Sequence, residues 1–287
     1  MRKLIAYGLS VAAIFLGSLP AIAAPPSPET TKASPVQNIS RKDVEAVTFS
    51  LEHLTLAPAP GTTASQWGVG AAGFFPFNPN WGLNVDGGLY TITMPGATST
   101  NGTRLQVSLV TPWSKSLGGI ITPSGRAGLN VGFQNNSNGG FSSQTWNYGG
   151  FVDLYPTYNL TLNAKAGIIT KCASSNGYYL GGGASLYATP DFSIKGTYDY
   201  SRFNAFGGSN ESDYGLHLDY RLPNTPLALY GGYARSSFSP ATSFHLDTTT
   251  FGLNVYGGSN KNATLVDQQR NGTLNRSNLY VGLQCRF

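Results

Sequence analysis

The chain has 287 residues, of which 18 are Lys or Arg and 13 are Asp or Glu, so 11% are charged against the ~25% usual in soluble domains. Glycine (36 residues) and aromatic residues (12%) are abundant, which excludes charge-driven disorder and a charged coiled coil. The mean hydropathy of −0.13 leaves no place for repeated apolar runs of about 20 residues, so a helical membrane protein is excluded and an all-β chain remains.

In chain order, Arg2 and Lys3 precede an apolar stretch from Leu4 to Leu19, and Ala21-Ile22-Ala23 supplies small residues. Residues 1–23 therefore read as a secretory signal peptide cleaved near Ala23. Its loss leaves a net charge of about +3, and no basic run or zinc-ligand spacing points to nucleic acid. Residues 24–43 are rich in Pro, Ser and Thr and read as a flexible segment.

From residue 44 the pattern has a period of two. Trp81, Leu83, Val85 and Leu89 oppose Asn84, Asp86, Gly88 and Tyr90; Leu160, Leu162, Ala164, Ala166 and Ile168 oppose Thr161, Asn163, Lys165 and Gly167. Phe192, Ile194 and Tyr198 oppose Ser193, Lys195, Thr197 and Asp199, while Tyr214, Leu216, Leu218 and Tyr220 oppose Gly215, His217, Asp219 and Arg221. The runs give fourteen strands: 44–56, 66–75, 80–93, 103–111, 124–134, 143–155, 158–170, 177–188, 191–203, 211–222, 226–238, 246–257, 261–270 and 276–287. The alternation is poorest in 44–56 and 261–270, and dropping both gives twelve.

A soluble sandwich would also alternate, but three features place lipid on the apolar face. Aromatics end several apolar faces, as in Tyr214-Leu216-Leu218-Tyr220; the polar faces carry Gly, Ser, Thr, Asn and charges of both signs; and short turns alternate with Gly/Asn/Ser-rich loops such as 134–142 and 204–212. The expectation is a closed antiparallel transmembrane barrel over 44–287, since lipid leaves no partner for an open sheet edge.

At the C-terminus, Leu279, Val281, Leu283, Cys285 and Phe287 alternate with Tyr280, Gly282, Gln284 and Arg286. With the signal peptide and the repeated alternating segments, this end resembles the bacterial outer-membrane β-barrel class, and more loosely the porins. The resemblance implies a terminal strand, carried by Leu279, Val281, Leu283 and Phe287, that the barrel-assembly machinery recognises. Cys285 departs from the family pattern, in which an aromatic is commoner at that position.

By parity the inward charges are Asp86, Arg104, Arg126, Asp153, Lys165, Lys195, Asp199, His217, Asp219, Arg221 and Arg286, a slight cationic excess that predicts at most weak anion preference. A hairpin centred near Phe206-Gly207 would set Lys195 opposite Asp219. His217 and Asp219 share a face, but the bland reading, two polar groups lining water, outweighs a catalytic pair. His53 and His245 read as loop or rim residues. Gly181-Gly182-Gly183 lacks the Lys-Ser/Thr element of a phosphate loop and reads as wall packing, and the tyrosines near the glycines, Tyr178, Tyr179, Tyr187 and Tyr233, read as girdle or packing residues. No metal or cofactor is indicated.

The sequence thus predicts a porin-like channel for passive diffusion of small polar solutes, without enzymatic activity, held in outer-membrane lipid. The alternatives are a closed scaffold for surface binding and a channel for hydrophobic compounds plugged by residues 24–43. In this topology Cys172 and Cys285 fall at opposite ends of the barrel, beyond the ~7 Å between Cα atoms that a disulfide spans. Intact-mass measurement before and after reduction should therefore show no intramolecular disulfide; a two-dalton shift on reduction would overturn the topology.

Overall fold

The computed structural model describes residues 46–59, 62–78, 80–96, 98–113, 124–138, 141–172, 175–204, 209–239, 244–258 and 263–271. Within them the alternating runs form β1 Ala46–Ala59, β2 Thr62–Asn78, β3 Trp81–Thr93, β4 Thr100–Trp113, β5 Ser124–Asn138, β6 Phe141–Thr157, β7 Leu160–Cys172, β8 Ser175–Thr189, β9 Phe192–Phe203, β10 Ser209–Arg221, β11 Leu227–Ser239 and β12 Phe244–Gly258. A short helix, α1, follows at Leu265–Asn271. Each strand pairs with its sequence neighbours, and β1 pairs with β12 from Ala46↔Gly258 to Ala57↔Asp247, which closes the ring.

The strand count is therefore twelve, the smaller of the two expected values, but its membership differs from that expectation. Residues 44–56 do supply a strand, because β1 finds a complete partner on each side despite its uneven alternation. Of 261–270, the described residues 263–270 do not. Thr264 caps a helix there, its hydroxyl accepting from the Asp267 amide at 3.2 Å and donating to Asp267 Oδ2 at 2.8 Å, with Arg270 in the last turn. The expected strand 276–287, with Leu279, Val281, Leu283, Cys285, Arg286 and Phe287, lies outside the described residues. So do residues 1–43.

A line of paired residues drawn from Ala46 through Phe74, Asn84, Ser108 and onward to Phe238↔Phe244 returns to β1 beyond Ala57, the partner of Asp247. It has climbed about fourteen residues around the ring, which for twelve strands sets a tilt of roughly 40° and a radius of about 11 Å to the backbone.

Both chain-terminal ends of the ring, the start of β1 and the end of β12, lie on the side that also carries the turns after β2, β6, β8 and β10. The turn after β10 is held by Thr225, whose amide and hydroxyl donate to Leu222 O at 3.2 and 2.9 Å, with Asn224 at φ 58°. Turns on this terminal side are short, as expected, except for the ten-residue connection 114–123. On the opposite side the expected loop 134–142 is mostly strand, since β5 runs to Asn138 and β6 starts at Phe141.

The outward faces carry a continuous apolar band: Phe49 and Leu51, Trp67 and Val69, Leu105 and Leu109, Leu129 and Val131, Leu180 and Leu186, and Leu216 are all exposed. On most strands the band is about 9–11 residues long, the length a tilted strand needs to cross hydrocarbon. Beyond it, on the side opposite the termini, outward positions become polar: Thr91 and Thr93, Asn135 and Ser137, Ser212 and Asn210, Asp247 and His245. His53, expected in a loop or at the rim, faces outward at the edge of the apolar band, beside Trp67 and Phe251. It lies mid-strand on β1, its Nε2 2.9 Å from Ser65 Oγ and its ring 4.5 Å from that of Trp67.

Inward glycines make room for large inward side chains. Tyr90 lies over Gly102, Phe151 over Gly128, Tyr179 over Gly149 and Gly167, and Tyr230 over Gly252, so that a Cβ at any of these glycines would overlap the ring. Tyr179 and Tyr187 thus pack inside, whereas Tyr178 and Tyr233 face outward. Gly102→Val should cost about 1–3 kcal/mol through overpacking against Tyr90. Gly87→Ala should be near neutral, because its Cβ would meet only Arg104 O at 3.6 Å and Leu105 Cδ1 at 3.8 Å. Urea midpoints of the refolded barrel, read by heat-modifiable electrophoretic mobility, check the contrast; equal midpoints would contradict it.

Candidate functional site

Most of the described charges gather on the interior. Parity places Asp86 on β3, Arg104 on β4, Arg126 on β5, Asp153 on β6, Lys165 on β7, Lys195 and Asp199 on β9, and His217, Asp219 and Arg221 on β10, all on the face opposite the apolar band. Arg286 lies outside the described residues.

Opposite charges meet across neighbouring strands. Arg126 Nε is 2.8 Å from Asp153 Oδ2, Lys165 Nζ 3.0 Å from Asp199 Oδ1, and Arg221 Nη1 3.4 Å from Asp191 Oδ1 in the turn before β9. One pair reaches further. Arg104 Nη1 lies 3.6 Å from Glu52 Oε1 on β1 and its Nε 3.7 Å from Asp86, so the guanidinium crosses above β3 and β2. Glycine permits this span: a Cβ on Gly88 would stand 3.0 Å from Arg104 Nε, and one on Gly68 would stand 3.0 Å from Glu52 Cγ. Tyr230 extends the same layer from β11, its hydroxyl 3.4 Å from Glu52 Oε2.

The hairpin register differs from expectation by two residues. Lys195 faces His217, and Asp219 faces Ser193, whose hydroxyl it accepts at 3.2 Å. An even slip keeps every side chain on its face while changing its partner. The Lys195 side chain is 2% exposed, and its Nζ has no hydrogen-bond partner among the described residues. The His217 ring is wedged against Gly232 and Gly215, and no hydrogen bond joins it to Asp219 among the described residues.

Three inward acids escaped the sequence reading. Glu52 sits in the strand of poorest alternation; Glu211 and Asp213 continue the parity of Gly215, His217 and Asp219 toward the loop, and that parity alone could have found them. Glu211 accepts from Ser201 Oγ at 3.4 Å, and Asp213 faces Asp199 directly. With them, the described interior holds Glu52, Asp86, Asp153, Asp199, Glu211, Asp213 and Asp219 against Arg104, Arg126, Lys165, Lys195 and Arg221. The expected cationic excess becomes an acidic one among the described residues. None of these charges lies on β11 or β12, whose inward positions include Ala228, Gly232, Ser236, Thr248, Thr250 and Asn254.

On the outer surface, Arg235 grips Asp247 with Nε at 2.7 Å and Nη2 at 3.1 Å, and Tyr233 donates to the same carboxylate at 2.7 Å. This cluster lies in the polar zone beyond the apolar band.

A closed antiparallel ring with an apolar outside and a polar inside is the architecture of outer-membrane β-barrels. Among solved structures, an outer-membrane channel from Pseudomonas putida F1 is similar over 81% of this chain and 100% of its own length, with a TM-score of 0.57 and 10% identity. The KdgM porin (TM-score 0.48, 12% identity) and the NanC porin (TM-score 0.48, 10% identity) each match 72% of this chain and 98% of their own. At these identities the likeness is one of fold. No protein-family model and no curated protein matches the chain.

Arg126 and Asp153 are both almost fully buried, so Asp153→Asn leaves a guanidinium without its counter-charge and should cost about 3–5 kcal/mol. Asp247→Asn, in the half-exposed outer pair, should cost about 0–1 kcal/mol. Unfolding midpoints of the two variants in one denaturant series test the ranking, and a larger loss at Asp247 would refute it.

Proposed function

We propose that the chain is an outer-membrane channel through which small polar solutes diffuse passively. The observation that carries this reading is the pairing of a continuous outward apolar band with an inward face of charges, amides, hydroxyls and glycines around one closed ring. Lipid satisfies the first and water the second. On this reading residues 1–23 direct export and are removed, 24–43 form a periplasmic segment, and the assembly machinery recognises Leu279, Val281, Leu283 and Phe287. The terminal end of the barrel is then periplasmic and the opposite, polar-zoned end extracellular. Passage is a matter of confinement and field, with Asp86, Arg104, Arg126, Asp153, Lys165, Lys195, Asp199, His217, Asp219 and Arg221 lining the path and no reaction or bound cofactor. The polar interior speaks against the hydrophobic-compound alternative.

A second reading, the closed scaffold, draws support from the depth at which some interior groups sit: Asn84, Asp153 and Glu211 are each 0% exposed. Planar-bilayer recording of the refolded mature chain separates the two. The conduit predicts discrete ohmic steps with a weak cation preference, of the order of a few-fold, from the interior acidic excess. Lys195→Glu should shift the reversal potential in a KCl gradient further toward the cation. The conduit reading fails if folded, inserted protein stays silent at every voltage, including in the Arg270→Glu variant, which removes the hydrogen bonds from α1 to Thr157 O and Tyr158 O.

A further inference from the structure

The helix α1 does no work in closing the ring: β1 and β12 satisfy each other, and all twelve strands are paired without it. Yet it is docked inside the terminal mouth. Leu265 and Val266 are buried against three inward residues, Tyr187 of β8, Ala228 of β11 and Tyr256 of β12. The Val266 amide donates to Pro190 O, in the turn after β8, at 3.3 Å. At the far end of the helix, Arg270 Nη2 donates to Thr157 O at 2.7 Å and Tyr158 O at 2.9 Å, both at the β6–β7 turn. The same guanidinium lies over the rings of Tyr155 at 4.7 Å and Tyr158 at 5.4 Å.

These contacts trace a chord. The chain leaves β12, passes the β8–β9 turn and is pinned at the β6–β7 turn, six strands away in a ring of twelve. A helix with its side chains is about 10–12 Å wide, and the backbone ring has a radius of about 11 Å before its own side chains narrow it. A helix on that chord obstructs the mouth.

We propose that α1 is a strap that gates the periplasmic mouth, latched by Arg270 on the carbonyls of Thr157 and Tyr158. This rests on the channel reading above and adds its regulation. The strap has no strand pairing of its own, and its Val266 amide and Arg270 guanidinium bond to turns, so it can leave without opening a sheet edge to lipid. Leu265 and Val266 act as the stopper and Arg270 as the catch. Releasing the catch leaves α1 held at the mouth by the packing of Leu265 and Val266 on Tyr187, Ala228 and Tyr256 and by the Val266 amide, which can then give way.

The test uses the full mature chain in a Cys172→Ser, Cys285→Ser background with Val266→Cys as reporter, refolded into liposomes and, separately, into planar bilayers. Arg270→Glu and the milder Arg270→Ala supply release, and heat-modifiable mobility verifies the fold of each. With the latch intact, Val266→Cys should react slowly with a bulky maleimide; release should speed labelling at least about tenfold, the scale of a locally opened site. Release should also raise single-channel conductance or open time at least about twofold, with Arg270→Lys closer to the native chain because an ammonium still donates to the turn carbonyls. Fast labelling in the latched protein, or identical steps before and after labelling-verified release, overturns the strap and leaves the channel. Silence both before and after verified release overturns the channel reading, and the gate falls with it.

Discussion

The pairing of β1 with β12 is the constraint from which the rest of this molecule follows. In hydrocarbon no water is available to an unpaired N–H or C=O, and each orphan would cost several kcal/mol. Twelve strands closed on themselves leave no open sheet edge among the described residues. Closure also fixes strand tilt and circumference together, so the interior has a set width and its side chains must be chosen to fit it.

The interior fits by two devices. Glycines on one strand take the rings or long side chains of the next, as Gly102 takes Tyr90 and Gly232 takes His217. Charges are placed where an opposite charge stands across the ladder or, in the span from Arg104 to Glu52, two strands further on. The low overall charge of the chain is thus concentrated where it is most structured. Desolvating these groups is expensive, and mutual pairing offsets much of that cost.

The barrel and the facing of its side chains were legible in the sequence because a period of two is a local property: each of the ten described charges assigned inward by parity faces inward. Partner choice was less legible. Lys195 meets His217 instead of Asp219 because hairpin register depends on the turn, and a slip of two leaves the alternation unchanged. Glu52 was hidden by the irregular pattern of β1, whose strand character comes from its two neighbours rather than from its own residues. The helix α1 stands where alternation predicts a strand because seven residues are too few to display a helical period; the Thr264-x-x-Asp267 spacing of a capping box is the signal the sequence does carry for it.

The strands do not end where the apolar band ends. On the side away from the termini they continue through outward Asn135 and Ser137, Ser212 and Asn210, and Asp247 and His245, with Arg235 clasping Asp247. Several further residues of rigid, hydrogen-bonded sheet therefore separate the hairpin tips from the hydrocarbon. Cargo grafted at those tips, whether an epitope, a fluorophore tag or a short peptide, would stand on a stiff pedestal above the headgroups, and its insertion would leave the lipid seal below undisturbed.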